Sequence, residues 1–214
     1  MGLSNITNEE IFRSNFKLIS LMAAASVTML LSFGQTGWAD FIVCSATTQA
    51  CNGTAGDDII WGAGSAINVI HGLGGNDYII GGTPAPDYLF GDDGNDILFG
   101  TEYNDYLNGG RGNDKYDGYY GDDTIVEEFW MESPLVSNDD IISGGEGNDY
   151  IVGSFGSDRI HSGPGEDLIY PNGYLRDFSL DNTNCGSGTG DRILGYSGDG
   201  DTAVSCEQIT DFDS

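Results

Sequence analysis

The chain has 214 residues, with 34 acidic against 7 basic side chains and a net charge of −27. Carboxylate in that excess repels a phosphate backbone, which disfavours nucleic acid as a partner. The only histidines are His71 and His161, so no H-E-x-x-H zinc site exists, and no G-x-S-x-G nucleophile elbow occurs.

Arg13 and Lys17 precede an apolar run from Leu18 to Leu31, and Gly37-Trp38-Ala39 follows ahead of Asp40. A positive region, a short apolar region and a small-x-small site predict a secretory signal peptide over residues 1–39, cleaved after Ala39. The alternative is an uncleaved membrane anchor, for which the apolar run is short. A lipid anchor on Cys44 is disfavoured by the bulky Val43 before it. The expected location is secreted or extracellular.

Residues 40–52 form an N-terminal cap leading into a periodic region over 53–170. There an acid recurs at Asp77, Asp87, Asp96, Asp105, Asp114 and Asp123, then at Asp140, Asp149, Asp158 and Asp167. Most steps are nine residues, one is ten, and one gap of seventeen reads as two units with a residue missing. Glycines precede each acid, and two places after it comes a large apolar residue, U. The unit reads G-G-x-G-x-D-x-U-x, well spelled in Gly109-Gly110-Arg111-Gly112-Asn113-Asp114 and in Gly144-Gly145-Glu146-Gly147-Asn148-Asp149.

Glycine permits the positive backbone angles of a tight turn, and the x-U-x tripeptide follows strand parity, with U on one face and its neighbours on the other. The U positions are Ile60, Ile70, Ile79, Leu89, Leu98, Leu107, Tyr116, Ile125, Pro134, Ile142, Ile151, Ile160 and Ile169. Eleven of these thirteen are Ile or Leu, so U is a core column. Two units make a coil of 18 residues with a strand on each side, which stacks equivalent acids about 4.8 Å apart. One such column would be Asp58, Asp77, Asp96, Asp114, Glu132, Asp149 and Asp167; the other Asn68, Asp87, Asp105, Asp123, Asp140 and Asp158. Asn68 and Glu132 are the weak rungs. An ion with oxygen ligands at about 2.3–2.6 Å could reach a carboxylate from each of two stacked turns.

This pattern resembles the RTX (hemolysin-type) family of calcium-binding nonapeptide repeats, over about 120 of the 214 residues and most strongly from Leu73 to Val126. The resemblance implies an all-β fold, a right-handed parallel β-roll (β-solenoid) of 18-residue coils, with calcium (Ca2+) along both edges. The implied ligands are Asp58, Asp77, Asp87, Asp96, Asp105, Asp114, Asp123, Asp140, Asp149, Asp158 and Asp167, with turn carbonyls such as those of Gly72, Gly74, Gly91, Gly109 and Gly144. Four to eight ions are expected. Stacked carboxylates repel by roughly 1 kcal/mol in water and about 3 at an effective dielectric of 20. The chain is therefore expected to be expanded without metal and to fold on binding it.

The rhythm breaks at Glu127–Asn138, where Phe129-Trp130-Met131 and Pro134 predict a bulged loop or a distorted coil. Residues 171–214 read as a degenerate coil and a C-terminal cap, with Gly190-Asp191-Arg192-Ile193 repeating the motif and Asp199 and Asp201 adding acids. The four cysteines permit three pairings. The two local ones, Cys44–Cys51 and Cys185–Cys206, are favoured because each closes a loop at an end that would otherwise expose core and sheet edge. A reduced thiol pair holding metal is the alternative.

Strand parity turns Ile59, Trp61, Tyr78, Ile80, Ile97 and Phe99 outward on one face, and Val69, His71, Tyr88, Phe90, Tyr106 and Asn108 on the other. That apolar area is large for a free surface. It could pair with a second copy as a homodimer, bind a polysaccharide or cell-surface ligand, or be covered by the segment Phe41-Ile42-Val43. Families with such repeats include secreted proteases, lipases, epimerases and pore-forming toxins, each with a separate active part for which this chain has no length. Many members also leave the cell on a C-terminal signal, whereas this chain carries an N-terminal one. The expectation is a non-enzymatic, calcium-folded extracellular protein with structural ions. An adhesion or carbohydrate-binding module is the alternative.

Overall fold

The computed structural model of the chain describes residues 40–44, 50–62, 67–82, 84–127, 138–153, 155–171, 180–196 and 201–211. Every element among them is a β-strand. The strands fall into two parallel sheets of nine, and successive strands in the chain alternate between the sheets. The first sheet takes Asp40–Val43, Asp58–Trp61, Tyr78–Ile80, Ile97–Phe99, Lys115–Asp117, Ile141–Ser143, Arg159–His161, Asn182–Asn184 and Thr202–Val204. The second takes Ala50–Asn52, Val69–His71, Tyr88–Asp93, Tyr106–Arg111, Thr124–Val126, Tyr150–Val152, Leu168–Tyr170, Arg192–Tyr196 and Gln208–Asp211. This is a β-solenoid, each coil crossing from one sheet to the other through a glycine-rich turn.

The register is set by U. Ile60, Ile79, Leu98, Tyr116, Ile142 and Ile160 stand opposite one another up the first sheet. Cys51, Ile70, Leu89, Leu107, Ile125, Ile151, Ile169 and Ile193 do so up the second. Both columns meet in a single core cluster, and most of these side chains expose no surface at all. Burying each Ile or Leu stabilises the roll by about 1.5–3 kcal/mol. Tyr116 is the odd member, and its hydroxyl accepts the Gly109 N–H at 2.8 Å, which satisfies the buried polar tip.

Three expectations change. The gap after Asp123 is not two units. The strand Ile141–Ser143 pairs with Lys115–Asp117 in the first sheet, and Tyr150–Val152 pairs with Thr124–Val126 in the second. The chain between them is one coil, lengthened to a step of 26 residues. Asp140 therefore follows Asp114, Asp149 follows Asp123, and the two proposed columns exchange members at this point. Glu132 and Pro134 lie outside the described residues.

Phe41-Ile42-Val43 do not cover the aromatic face. They are the outermost strand of the first sheet, paired with Ile59-Ile60-Trp61. Both sheets also run past the expected limits of 53 and 170, from Asp40 to Asp211. The disulfides are the two local ones, Cys44–Cys51 and Cys185–Cys206.

Candidate metal centres

Nearly every described strand is entered by an acid, and the acids on each side are joined by one repeated hydrogen bond. On the edge leading into the first sheet, the N–H of Asp40 donates to Asp58 Oδ1, and the pattern continues through Asp77, Asp96, Asp114, Asp140, Asp158, Asp181 and Asp201 at 2.6–3.1 Å. On the second edge it runs from Asn68 through Asp87, Asp105, Asp123, Asp149, Asp167 and Asp191 to Glu207 at 2.7–3.0 Å. All eleven acids expected as ligands lie on these two ladders, and all are buried. Asp181, Asp191 and Asp201 extend the ladders toward the C-terminus.

One oxygen of each acid is thus accounted for, and the other divides the rungs into two kinds. On Asp58, Asp87 and Asp105 it accepts a turn N–H, from Thr54, Gly82 and Thr101 respectively, each at 2.6 Å. Asp140 Oδ2 accepts the Asn138 amide at 3.3 Å. On Asp77, Asp96, Asp114, Asp123, Asp149, Asp167 and Asp191, Oδ2 is buried with no hydrogen-bond partner. Buried carboxylate oxygens are otherwise paired almost without exception. The Asn68 amide donates to Asp87 Oδ1 at 2.7 Å.

Turn spelling follows the division at most rungs, with Asp58 and Asp191 as exceptions: Gly56 stands two residues before Asp58, whose Oδ2 is satisfied, and Thr189 before Asp191, whose Oδ2 is not. Ahead of the orphaned oxygens of Asp77, Asp96, Asp114, Asp123, Asp149 and Asp167, the second residue before the acid is glycine: Gly75, Gly94, Gly112, Gly121, Gly147 and Gly165. Ahead of Asp87, Asp105 and Asp140 it is Ala85, Tyr103 and Asn138, and there the turn satisfies its own carboxylate. The glycine opening each unit has a separate task. A Cβ on Gly72, Gly91, Gly109, Gly118 or Gly144 would run into Oδ2 of the acid that follows it, Asp77, Asp96, Asp114, Asp123 or Asp149. These glycines keep clear the space in front of the orphaned oxygens. Free carboxylate oxygens, carbonyls of stacked turns and an enforced hollow are the donor set of a hard cation such as calcium. The residues present fit that ion.

The turns hold this shape at some cost. In the units ahead of Asp77, Asp96, Asp114, Asp123, Asp149 and Asp167 the second residue takes a positive φ whether or not it is glycine, at 77° in Leu73, 71° in Asp92 and 78° in Tyr119. Each such non-glycine residue costs of order 1–3 kcal/mol.

A second ladder lies one residue earlier and was not foreseen. The N–H of Asn76 donates to Asp57 Oδ1 at 2.7 Å, and the series continues through Asn95, Asn113, Asp139 and Ser157 at 2.8–3.1 Å. The opposite edge repeats it over Asn104, Asp122, Asn148 and Glu166 at 2.8–3.1 Å. Its signal was the recurrent Asn in Gly-Asn-Asp. The exposed ladder donates down the stack and the buried one up it. Both histidines face outward as expected: His71 stacks on Phe90 with centroids 4.5 Å apart and meets Asp92 at 3.1 Å, while the Nδ1 of His161 lies 3.3 Å from the Asn184 carbonyl.

Burial raises the carboxyl pKa of Asp77 and Asp105 to about 6, and that of Asp96, Asp114 and Asp149 to about 7. For Asp123 and Asp140, burial and the acids stacked on them raise it to about 9. The accepted N–H in each case pulls the other way.

The RTX calcium-binding nonapeptide repeat matches this chain in four copies, over residues 52–66, 90–125 and 136–169. No curated protein matches the chain in sequence. The repeats of this roll are RTX repeats, and calcium is the ion that such repeats bind.

Two outcomes are expected. Gly91→Ala puts a methyl against Asp96 Oδ2 and should cost about 1–3 kcal/mol of calcium-loaded stability. Gly74→Ala, whose new methyl would meet only Asp93 and no closer than 3.6 Å, should cost far less. Thermal melts in saturating calcium compare them, and equal losses would refute the hollow. The second concerns pH. Folded-state pKa values of about 6 to 9 lie above the unfolded value of 3.8, so the folded chain binds more protons. The metal-free roll should lose stability as pH rises from about 4 through 9. Far-UV circular dichroism in chelator should show more strand at pH 5 than at pH 8, while protons at pH 5 weaken calcium binding.

Proposed function

We propose that this chain is a secreted or surface-displayed calcium-binding protein whose ions are structural and whose folding waits on extracellular calcium. The observation that carries the reading is the row of buried, partnerless Oδ2 atoms on seven acids. Ionised and uncompensated, those groups oppose the fold; a divalent cation between stacked turns supplies the missing counter-charge. Where two successive rungs both have a free oxygen, an ion can be sandwiched. That condition gives Asp77–Asp96 and Asp96–Asp114 on one edge, and Asp123–Asp149, Asp149–Asp167 and Asp167–Asp191 on the other.

The secretory pattern of residues 1–39 and the two disulfides support an extracellular setting. Extracellular calcium modules bind at about 10⁻⁴–10⁻³ M. A roll of that affinity stays unfolded where calcium is scarce and locks where it is plentiful. It needs no catalytic role, because the ladders account for most of its buried carboxylates and both histidines lie outside them. Calcium titration of residues 40–214 followed by far-UV circular dichroism, with magnesium as control, tests the reading. At pH 8 a cooperative coil-to-strand transition in calcium alone is expected, and a chain already folded in chelator at that pH would overturn the reading.

A second reading is an adhesion or carbohydrate-binding module. Outward rings stack in rows: His71 on Phe90, Phe90 and Tyr88 on Tyr106 at 5.7 and 5.9 Å, and Tyr78 on Phe99 at 5.3 Å. Tyr88 is 44% exposed. Replacing Tyr78, Tyr88 and Phe99 by alanine should then abolish binding to a polysaccharide array or cell surface and leave calcium-driven folding intact. Binding that survives the triple change would remove this reading.

A further inference from the structure

Glu127 stands where the unit should open with glycine. Gly72, Gly91, Gly109 and Gly153 take the equivalent place, four residues after the second-edge rung, on other coils of this edge. Glu127 keeps the backbone role, donating its N–H to the Val152 carbonyl at 3.1 Å. Its side chain runs into the roll instead of outward, and only 1% of the residue is exposed. Neither carboxylate oxygen has a hydrogen-bond partner. Asn138 lies close enough to favour the charged form weakly, and Asp114, Asp140 and Asp158 all oppose it.

The carboxylates of Asp114, Glu127 and Asp140 offer three oxygens within 4.8 Å of one another, all on buried residues. Asp114 Oδ1 takes the Asp96 N–H and Asp140 Oδ1 the Asp114 N–H, while Asp140 Oδ2 takes the Asn138 amide and Asp114 Oδ2 takes nothing. By the condition of two bare oxygens this step should hold no ion, because Asp140 Oδ2 accepts the Asn138 amide. Glu127 restores what Asn138 removes. The centre of a triangle of that side lies about 2.8 Å from its corners, so a small contraction brings all three oxygens to the 2.3–2.6 Å of calcium; the 2.0–2.1 Å of magnesium demands a larger one.

Resting on the reading of the roll as calcium-folded, we propose that Asp114, Glu127 and Asp140 form an additional calcium site. It is built from three side-chain carboxylates rather than from carboxylates and turn carbonyls, and it binds more tightly than the repeated rungs. Affinity at calcium sites rises with the number of charged ligands. The site stands at the joint where the coil lengthens to 26 residues, so it clamps the two halves of the roll across the longest step of the described ladders.

Calcium binding to the whole chain, read by isothermal titration and by ion counting in native mass spectrometry, tests this with Glu127→Gln and Glu127→Gly. The wild-type chain should show a tight first step, retained in excess magnesium, and one ion more than either variant. In both variants that step should weaken at least about tenfold, roughly 1.4 kcal/mol, with the later coil-to-strand transition preserved. Should E127Q fail to fold in saturating calcium, E127G carries the comparison, since it restores the glycine of the neighbouring coils. The same first constant and ion count in wild type and variant would overturn the site and leave the calcium-folded roll standing. A wild-type chain that binds no calcium would overturn both.

Discussion

One hydrogen bond, repeated at every rung, organises this molecule: the N–H of an acid donates to Oδ1 of the acid one coil further on. It ties the turn of each coil to the turn of the next, as the strand ladders tie strand to strand. It also fixes which way every carboxylate points. With Oδ1 committed to the backbone, Oδ2 must face the space between the stacked turns, and there it either finds a local N–H or finds nothing. The core is less demanding. Ile, Leu and Tyr116 all fill the U column, and apolar packing of that kind tolerates exchange. A carboxylate that must accept one N–H and present one bare oxygen in the same geometry leaves no such choice.

That constraint explains the glycine pattern better than turn propensity does. If glycine served only to permit positive φ, Leu73, Asp92 and Tyr119 would be replaced by it, yet they hold φ between 71° and 78°. Glycine at the head of the unit has no such angle in Gly72, Gly91 or Gly109 and stands unsubstituted there, because a Cβ would strike the carboxylate and, at Gly72 and Gly91, the carbonyl of the glycine one coil on. Clearance for the bare oxygen is the stricter requirement. Backbone strain of a few kcal/mol is tolerated where the strand ladders and the core can offset it.

Most of the fold was legible. Spacing of the acids predicted the strand count per coil, the apolar column and the stacking of rungs, because all three depend on residues 18 apart meeting. The break at 127–138 was misread because a gap of seventeen imitates two units short by one residue. Hydrogen-bond register separates the two cases, and spacing alone does not. The clues were chemical: Pro134 in a core column, Glu132 in a column of Asp, and Glu127 in place of an opening glycine. Which rungs leave an oxygen bare was only partly legible: Ala85, Tyr103 and Asn138 mark satisfied carboxylates, but Gly56 and Thr189 break the pattern, and the turn geometry alone decides those two. The Asn ladder was hidden by its ordinariness, since Asn in a turn is expected on local grounds.

The ends follow from the same logic. A cation between stacked turns needs a bare oxygen on both sides, and the terminal coils cannot supply it. Asp58 Oδ2 is taken by Thr54, and beyond Asp191 the second ladder ends on Glu207. Past those points the acids no longer hold one coil to the next through metal, and the disulfides begin. Cys51 stands in the U column one strand ahead of Ile70, and Cys44 directly follows its strand, at the place of an opening glycine. Cys185 likewise follows Asn182–Asn184, and its partner Cys206 joins it against the core. A covalent bond thus occupies the slot that clearance for a carboxylate keeps empty elsewhere. Reduction should therefore fray the terminal coils and leave the calcium-held middle, whereas chelation should dissolve the middle and leave two stapled but unsupported ends.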